Sequence, residues 1–363
     1  MHLRWHGVWQ RPNHLLARIA RDIPVIVLEE PLAAGHDDDA IERSDGLTII
    51  TPRRIAPATD ALDDRSVSTV RALAGDRRAL VWLYTPMMLA LADAFPGAPL
   101  VFDKMDELAK FAHADPRIAT RERELLRRAG VVFTGGRSLF RSVVGRTRNA
   151  RCYPSGVDVA HFARALSMPP HTDLIPFGAG PVFGYAGVID ERVDLELVDA
   201  LAAANPGATV AMIGPVVKID EAILPRRANI VYLGKRPYDE LPALLAGIDV
   251  ALMPFALNEH TENISPTKTL EYFAAGRPVV STAVPDVVAD HGDVVYVARD
   301  RAEFVAMVER ARSGDGARAR RGAEKAREAA WDAISAAMRA DLATAGVDYA
   351  AASPIRKNST ARA

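Results

Sequence analysis

NIVYLGKRPYDELPALLAGIDVALMPF, residues 229–255, holds two apolar runs, NIVYLG at 229–234 and IDVALMPF at 248–255, on either side of a more polar stretch. A short run that is apolar at nearly every position is buried on both faces, which is the condition of a strand inside a parallel sheet, and a parallel neighbour is reached through a helical crossover. Outward from this unit the rhythm repeats. VFGYAG at 182–187, ATVAMIG at 208–214, PVVST at 278–282 and VVYVA at 294–298 belong to the same half of the chain. VIVLE at 25–29, LTIIT at 47–51, ALVWLY at 79–84, LVFD at 100–103 and VVFT at 131–134 belong to the other, with helix patterns such as RPNHLLARIARD and RIATRERELLRRAG between strands. Residues 155–181 break the rhythm with Pro and Gly and read as a linker. The class is α/β, with two doubly wound, Rossmann-like parallel-sheet domains at 1–165 and 166–316. Their strands are expected to end on a central cleft. Residues 317–345, with Trp331, Ile334 and Met338 at helical spacing, predict one or two helices packing back across the domains, and 346–363 a disordered tail.

Composition narrows the function classes. Hydrophobic content of 49%, charged content of 25% and a net charge of -1 describe a globular protein, with no nucleic acid as partner. Residues 1–165 hold 24 Lys+Arg against 20 Asp+Glu, a mildly basic half suited to peripheral contact with an anionic membrane. One cysteine, Cys152, excludes an intramolecular disulfide and suits a reducing compartment. No apolar run approaches the ~20 residues of a membrane span. The expected location is cytoplasmic, at the inner face of the plasma membrane where the basic half meets it.

SPTKTLEYFAAGRPVVST, residues 265–282, carries the chemistry. Ser265 is placed as N-cap and Pro266 as the first helical residue, and Gly276 and Pro278 end the helix. Lys268 then lies in the first turn, where the helix dipole disfavours a cation by a few tenths to about 1 kcal/mol. An anion held there by backbone N–H groups and the ammonium removes the conflict. Glu271, one turn on, is placed to accept hydrogen bonds from hydroxyls attached to that anion, and phosphate next to a diol describes a nucleotide. The alternative is a surface helix with Lys268 in solvent; the helix alone weighs the two evenly. In HDDDAIE, 36–42, Asp37 and Asp39 have the spacing of a divalent-metal pair, but with no strand leading into them they read as a solvated loop. No histidine has zinc-ligand spacing.

DVALMPFALNEHTENISPTKTLEYFAAGRPVVST, 249–282, resembles the donor-binding stretch of glycosyltransferases of the GT-B fold, in particular the large retaining group called family 4. PSGVDVAHF at 154–162 is similar to that group's domain junction, FGYAGVIDERVD to its first strand and turn in the second domain, and VYLGKRPYDELPALLAGIDVALMPF to its base-binding region. RWHGVWQRPNHLLARIA and VFDKMDELAKF resemble a bacterial subgroup acting on cell-envelope polysaccharides, teichuronic-acid-type transferases included.

The resemblance implies sugar transfer from a nucleotide-diphosphate donor, UDP or GDP, to a glycan or lipid-linked acceptor, with retention and without a metal or other cofactor. It implies Glu271 on the ribose, and Asn263 with Glu262 on the donor sugar. Lys268, Arg192, Ser265, Thr267 and the Ile264 backbone fall to the diphosphate, and Lys235 and Arg236 to the nucleobase. Asp106 is the catalytic candidate, Asp103 beside it a loop cap, and Trp9, Arg11 and His14 form the acceptor side. Asn263 departs from the family's glutamate, and Val188 or Ile189 stands where its arginine is expected. Relatives begin with a full first strand, where only HLRW precedes HGVWQRP here, so that strand is either shortened or supplied from upstream. Three rivals follow. A dinucleotide oxidoreductase fails because Gly178, Gly180 and Gly184 precede their strand and have the wrong spacing. A nucleotide-sugar epimerase of the same architecture and a non-catalytic nucleotide-sugar-binding member of an envelope-assembly complex stay open.

Overall fold

The computed structural model describes residues 1–55, 62–111, 114–177, 180–258, 261–262, 264 and 267–347. The chain forms two compact units. One is Met1–Pro154 together with the chain from Asp332 onward, and the other is Ser155–Trp331.

In the first unit, β1 (Val25–Leu28), β2 (Leu32–Ala33), β3 (Asp38–Ser44) and β4 (Leu47–Arg54) make one sheet. β1 and β2 both run parallel to β4, and β3 pairs with β4 antiparallel. A second, all-parallel sheet has the order β5 (Val81–Leu83), β6 (Leu100–Lys104), β7 (Val131–Thr134), β8 (Ala150–Cys152). The acidic stretch at 36–42 is therefore no loop. Most of it is strand, half-buried at 38–40 and exposed beyond, held because β4 offers it an edge; Asp37 accepts from the Ile55 N–H, and the buried Asp39 side chain pairs with Arg54 at 2.9 Å.

The second unit is one six-stranded parallel sheet. Its strands are β9 (Val182–Ala186), β10 (Thr209–Ile213), β11 (Ile230–Gly234), β12 (Val250–Met253), β13 (Val279–Thr282) and β14 (Tyr296–Ala298). The order is β11-β10-β9-β12-β13-β14. Each strand the sequence predicted for this half is present, and β9, β10, β12 and β13 are buried along their whole length, as unbroken apolar runs require. Numbered within the unit, the strands run 3-2-1-4-5-6. The order reverses between β9 and β12, and in such sheets the crevice at the carboxyl ends of those strands is where ligands bind.

The boundary falls at 154/155, ahead of the expected 165/166, because the helix Val159–Ala163 buries Phe162 in the core of the second unit. The expected terminal helices are two, Gly316–Glu328 and Trp331–Thr344. The first packs on the second unit, where Gly322 lies so close to Phe273 that a Cβ would stand 3.1 Å from its ring. The second belongs, from Asp332, to the first unit. Most of the expected tail lies outside the described residues. Among the described residues no helix is long and apolar enough to cross a membrane.

Candidate functional site

The crevice of the second unit is built by the turn after β9 and the helix Lys268–Ala274 after β12. Tyr272 on that helix is fully buried, and its Oη accepts the Ala186 N–H at 2.8 Å, which fastens the helix to the end of β9. Gly187 follows. A Cβ there would lie 1.9 Å from Lys268 Cε and 2.8 Å from its Nζ, so the lysine crosses the β9 turn through space that only glycine leaves. Asp190, 3% exposed, accepts from the Arg192 backbone N–H at 3.0 Å and holds its guanidinium by Nε and Nη2, the latter at 2.7 Å.

Lys268, Glu271, Arg192 and Asp190 share one field. Burial pulls the Lys268 ammonium below its ordinary pKa; Glu271 and Asp190 push it back up and Arg192 pushes it further down. Burial raises the Glu271 carboxyl, with Lys268 opposing. Desolvation outweighs the mutual attraction on both sides of the pair, which disfavours both charged forms, and a further charged or hydroxyl-bearing ligand would offset that.

The helix begins later than expected. Leu270 and Glu271 donate to the Thr267 carbonyl, which makes Thr267 its N-terminal boundary, and Lys268 is the first helical residue. Thr267 adds no side-chain cap. The Ile264 N–H, expected to face the diphosphate, instead donates to Thr261 O at 3.3 Å, closing a turn, and its side chain packs on the core. Glu262 lies exposed in that turn. Asn263 and Ser265 lie outside the described residues. Lys235 is exposed after β11, whereas Arg236 is engaged within the fold: Asp173 takes it at 2.5 Å, Glu240 at 3.7 Å, and its Nε donates to Leu233 O.

In the first unit the acceptor-side expectation is revised. Arg11 is 1% exposed and Asp103 fully buried; Arg11 Nε reaches both carboxylate oxygens at 3.0 and 3.1 Å, and Nη1 reaches Tyr153 O at 2.8 Å. Arg11 is thus an internal tie between the first helix, β6 and the end of β8, and Asp103 is a core strand residue with no part in capping a loop. Burial raises the Asp103 carboxyl against the pull of Arg11. His14 is also buried, taking the Trp9 Nε1–H on Nδ1 at 3.2 Å. Trp9 stands edge-on to Trp5, half-buried. Asp106 lies half-buried in the loop that leaves β6.

Sequence reasoning did not find Gly187, Asp190 or Tyr272. A signal existed for the first: a glycine directly after a predicted strand marks a backbone position that something must approach closely. Among the described residues no group of three His, Cys, Asp or Glu could hold a metal ion.

Residues 180–313, which span the whole crevice, match the family model described as glycosyl transferases group 1. A Bacillus subtilis (strain 168) protein named as a teichuronic acid biosynthesis glycosyltransferase, TuaH, is 27% identical over 147 residues, 39% of this chain and 36% of that protein, so the match spans about a third of the relative. Among solved structures, an E. coli trehalose-6-phosphate structure bound with UDP-2-fluoro glucose aligns at a TM-score of 0.68 and 13% identity, over 94% of this chain and 97% of the other. The trehalose-6-phosphate synthase of Burkholderia multivorans aligns at 0.65 and 15%, over 88% and 91%. The sucrose-phosphate synthase of Thermosynechococcus elongatus aligns at 0.65 and 17%, over 88% of each chain. The fold is the GT-B fold of α/β glycosyltransferases.

Proposed function

We propose that this chain transfers a sugar from a nucleoside-diphosphate donor, UDP or GDP, held in the crevice of the second unit. The acceptor is a glycan or lipid-linked sugar of cell-envelope polysaccharide synthesis, met by the mildly basic first unit at the inner face of the plasma membrane. The observation that carries this is the placement of Lys268 across Gly187, one turn before Glu271, at the point where the strand order of the sheet reverses. The family match of residues 180–313 and the teichuronic-acid relative support the reaction class, and the UDP sugar in a structural relative supports the donor class.

Breaking the bond between sugar and diphosphate places negative charge on the leaving phosphate, and a preorganised cation in a water-poor site stabilises it most. Lys268 and Arg192 supply that charge, and Glu271 takes the ribose hydroxyls. With those two cations opposite the leaving group the transfer needs no metal; the family resemblance supports retention, with a donor phosphate oxygen taking the acceptor proton, and Asp106 of the first unit is the catalytic candidate.

Calorimetric titration of the purified chain with UDP- and GDP-sugars tests the donor site. The expected result is saturable binding of one nucleotide class that Glu271→Ala and Lys268→Ala each weaken. No binding of any nucleotide sugar overturns the reading. Product analysis separates transfer from epimerisation, since an epimerase alters the sugar with no acceptor present.

A further inference from the structure

Asp190, Glu191, Arg192 and Val193 form a β-turn closed by the Val193 N–H on Asp190 O at 3.0 Å, with Glu191 and Arg192 as its central pair. The turn is pinned on both flanks. Before it, the Ile189 N–H donates to Pro215 O and Ile189 O accepts the Val217 N–H, each at 3.0 Å, which ties it to the segment after β10. After it, Arg192 O accepts the Ala256 N–H at 2.9 Å and the Asp194 N–H donates to Pro254 O at 2.8 Å, which ties it to the segment after β12. The turn thus stands at the reversal of strand order on a fixed backbone.

Its two central side chains are treated differently. The Arg192 guanidinium is gripped by Asp190. Glu191 has both carboxylate oxygens shut away from solvent, and among the described residues neither accepts a hydrogen bond. A buried carboxylate without donors is costly, and folded proteins keep few such orphans. A guanidinium is available at the very next residue, yet the turn gives it to Asp190. The group that completes Glu191 therefore comes with a ligand, and its chemistry is constrained. A phosphate is repelled by a carboxylate, and an apolar group leaves the oxygens as they are. Among the described residues no three His, Cys, Asp or Glu gather to hold a metal ion. Hydroxyls fit, because a carboxylate only accepts and can take two neighbouring hydroxyls at once.

A nucleotide sugar runs from ribose through diphosphate to sugar. In the donor site proposed above, Glu271 takes the ribose and Arg192 the diphosphate, so a carboxylate adjacent to Arg192 and still in need of hydroxyls belongs beyond the diphosphate. We propose, on the basis of that donor site, that Glu191 binds hydroxyls of the transferred sugar and sets which sugar the crevice accepts. Glu262, the sequence candidate for this role, lies exposed. At Glu191 a sugar whose hydroxyls do not match leaves buried oxygens unpaired, which is the arrangement that rejects a wrong substrate most strongly.

The test is calorimetric titration of the wild type, Glu191→Ala and Glu191→Gln with UDP and GDP alone and with UDP-glucose, UDP-galactose, UDP-N-acetylglucosamine and GDP-mannose. Both variants should bind the bare nucleotides as the wild type does. The nucleotide sugar that the wild type prefers should lose ~10–100-fold in Kd on Glu191→Ala, and the spread of Kd among sugars on one nucleotide should narrow. Glu191→Gln keeps the size and removes the charge; it should lose part of that affinity with a Tm no lower than wild type, which separates the effect from unfolding. An unchanged Kd for the preferred sugar overturns the proposal. Equal losses on bare nucleotide and nucleotide sugar also overturn it, because they assign Glu191 to the shape of the turn. A wild type that binds no nucleotide and no nucleotide sugar fails the donor site and the proposal together, whereas intact nucleotide binding without the sugar effect leaves the donor site standing and removes Glu191 alone.

Discussion

Lys268 lies across Gly187 so closely that a single added methyl at residue 187 would meet its Cε at 1.9 Å. The glycine is therefore a geometric condition for the lysine's position, and the two substitutions should fail alike. Lys268→Ala removes a charge-assisted contact worth about 1.5–3 kcal/mol, or ~10–100-fold in donor Kd. Gly187→Ala, which leaves every charge in place, should weaken donor binding by a similar factor because the ammonium must swing away. Calorimetry with the donor on both variants checks this; wild-type affinity in Gly187→Ala would show that the lysine's path does not matter.

The two shifted groups also set a pH window. On the proposed donor site, binding needs Lys268 charged and Glu271 ionised. Burial lowers the first pKa and raises the second. Affinity should then fall on the acid side at a pH above that of an ordinary glutamate and on the alkaline side below that of an ordinary lysine. Donor Kd measured from pH 5 to 10 tests it, and Glu271→Gln should abolish the acid limb and, by removing a carboxylate that raises the Lys268 pKa, move the alkaline limb to lower pH. An acid limb that survives in Glu271→Gln assigns it to another group.

Much of this was legible in the sequence, and the failures share a cause. Unbroken apolar runs located all six strands of the second unit because burial on both faces leaves no other composition. Lys268 and Glu271 stood out because a cation opposes the helix dipole and a carboxylate sits one turn on, both local relations. Arg11 and Asp103 are 92 residues apart, and nothing local to either reveals the pairing, so a buried ion pair was read as two separate surface roles. The acidic strand β3 defies a local reading because it is polar and antiparallel, with no apolar alternation to betray it.

The Arg11–Asp103 pair predicts a stability effect confined to the first unit. Removing one partner leaves a buried charge alone, at about 3–5 kcal/mol, while replacing both with apolar residues of similar volume is close to neutral. Arg11→Met should lower the Tm of the transition that includes the first unit by ~6–20 °C, and Arg11→Met with Asp103→Leu should recover most of it. Arg11→Lys should not rescue, because an ammonium cannot reach both carboxylate oxygens and Tyr153 O together. Donor affinity, which the proposed function assigns to the second unit, should be unchanged in all three. A drop in donor affinity in a folded Arg11 variant would restore the residue to the substrate side.

Asp190 could act on the donor in either of two ways, and its geometry chooses between them. As a carboxylate paired with Arg192 it competes with phosphate for the same guanidinium; as the acceptor of the Arg192 N–H it also fixes the turn that carries that side chain, and its backbone carbonyl takes the Val193 N–H at 3.0 Å. Competition predicts that Asp190→Ala tightens donor binding. Orientation predicts that it weakens binding about as much as Arg192→Ala. Asp190 is buried while Arg192 remains partly exposed, so the aspartate is the fixed member of the pair and the arginine the one being aimed, and orientation should dominate. The double variant then distinguishes a shared path from two separate ones: Asp190→Ala combined with Arg192→Ala should be no worse than Arg192→Ala alone, because a mispositioned guanidinium and a missing one leave the donor in the same state. Full additivity in the cycle would mean that Asp190 reaches the donor by a route that does not pass through Arg192.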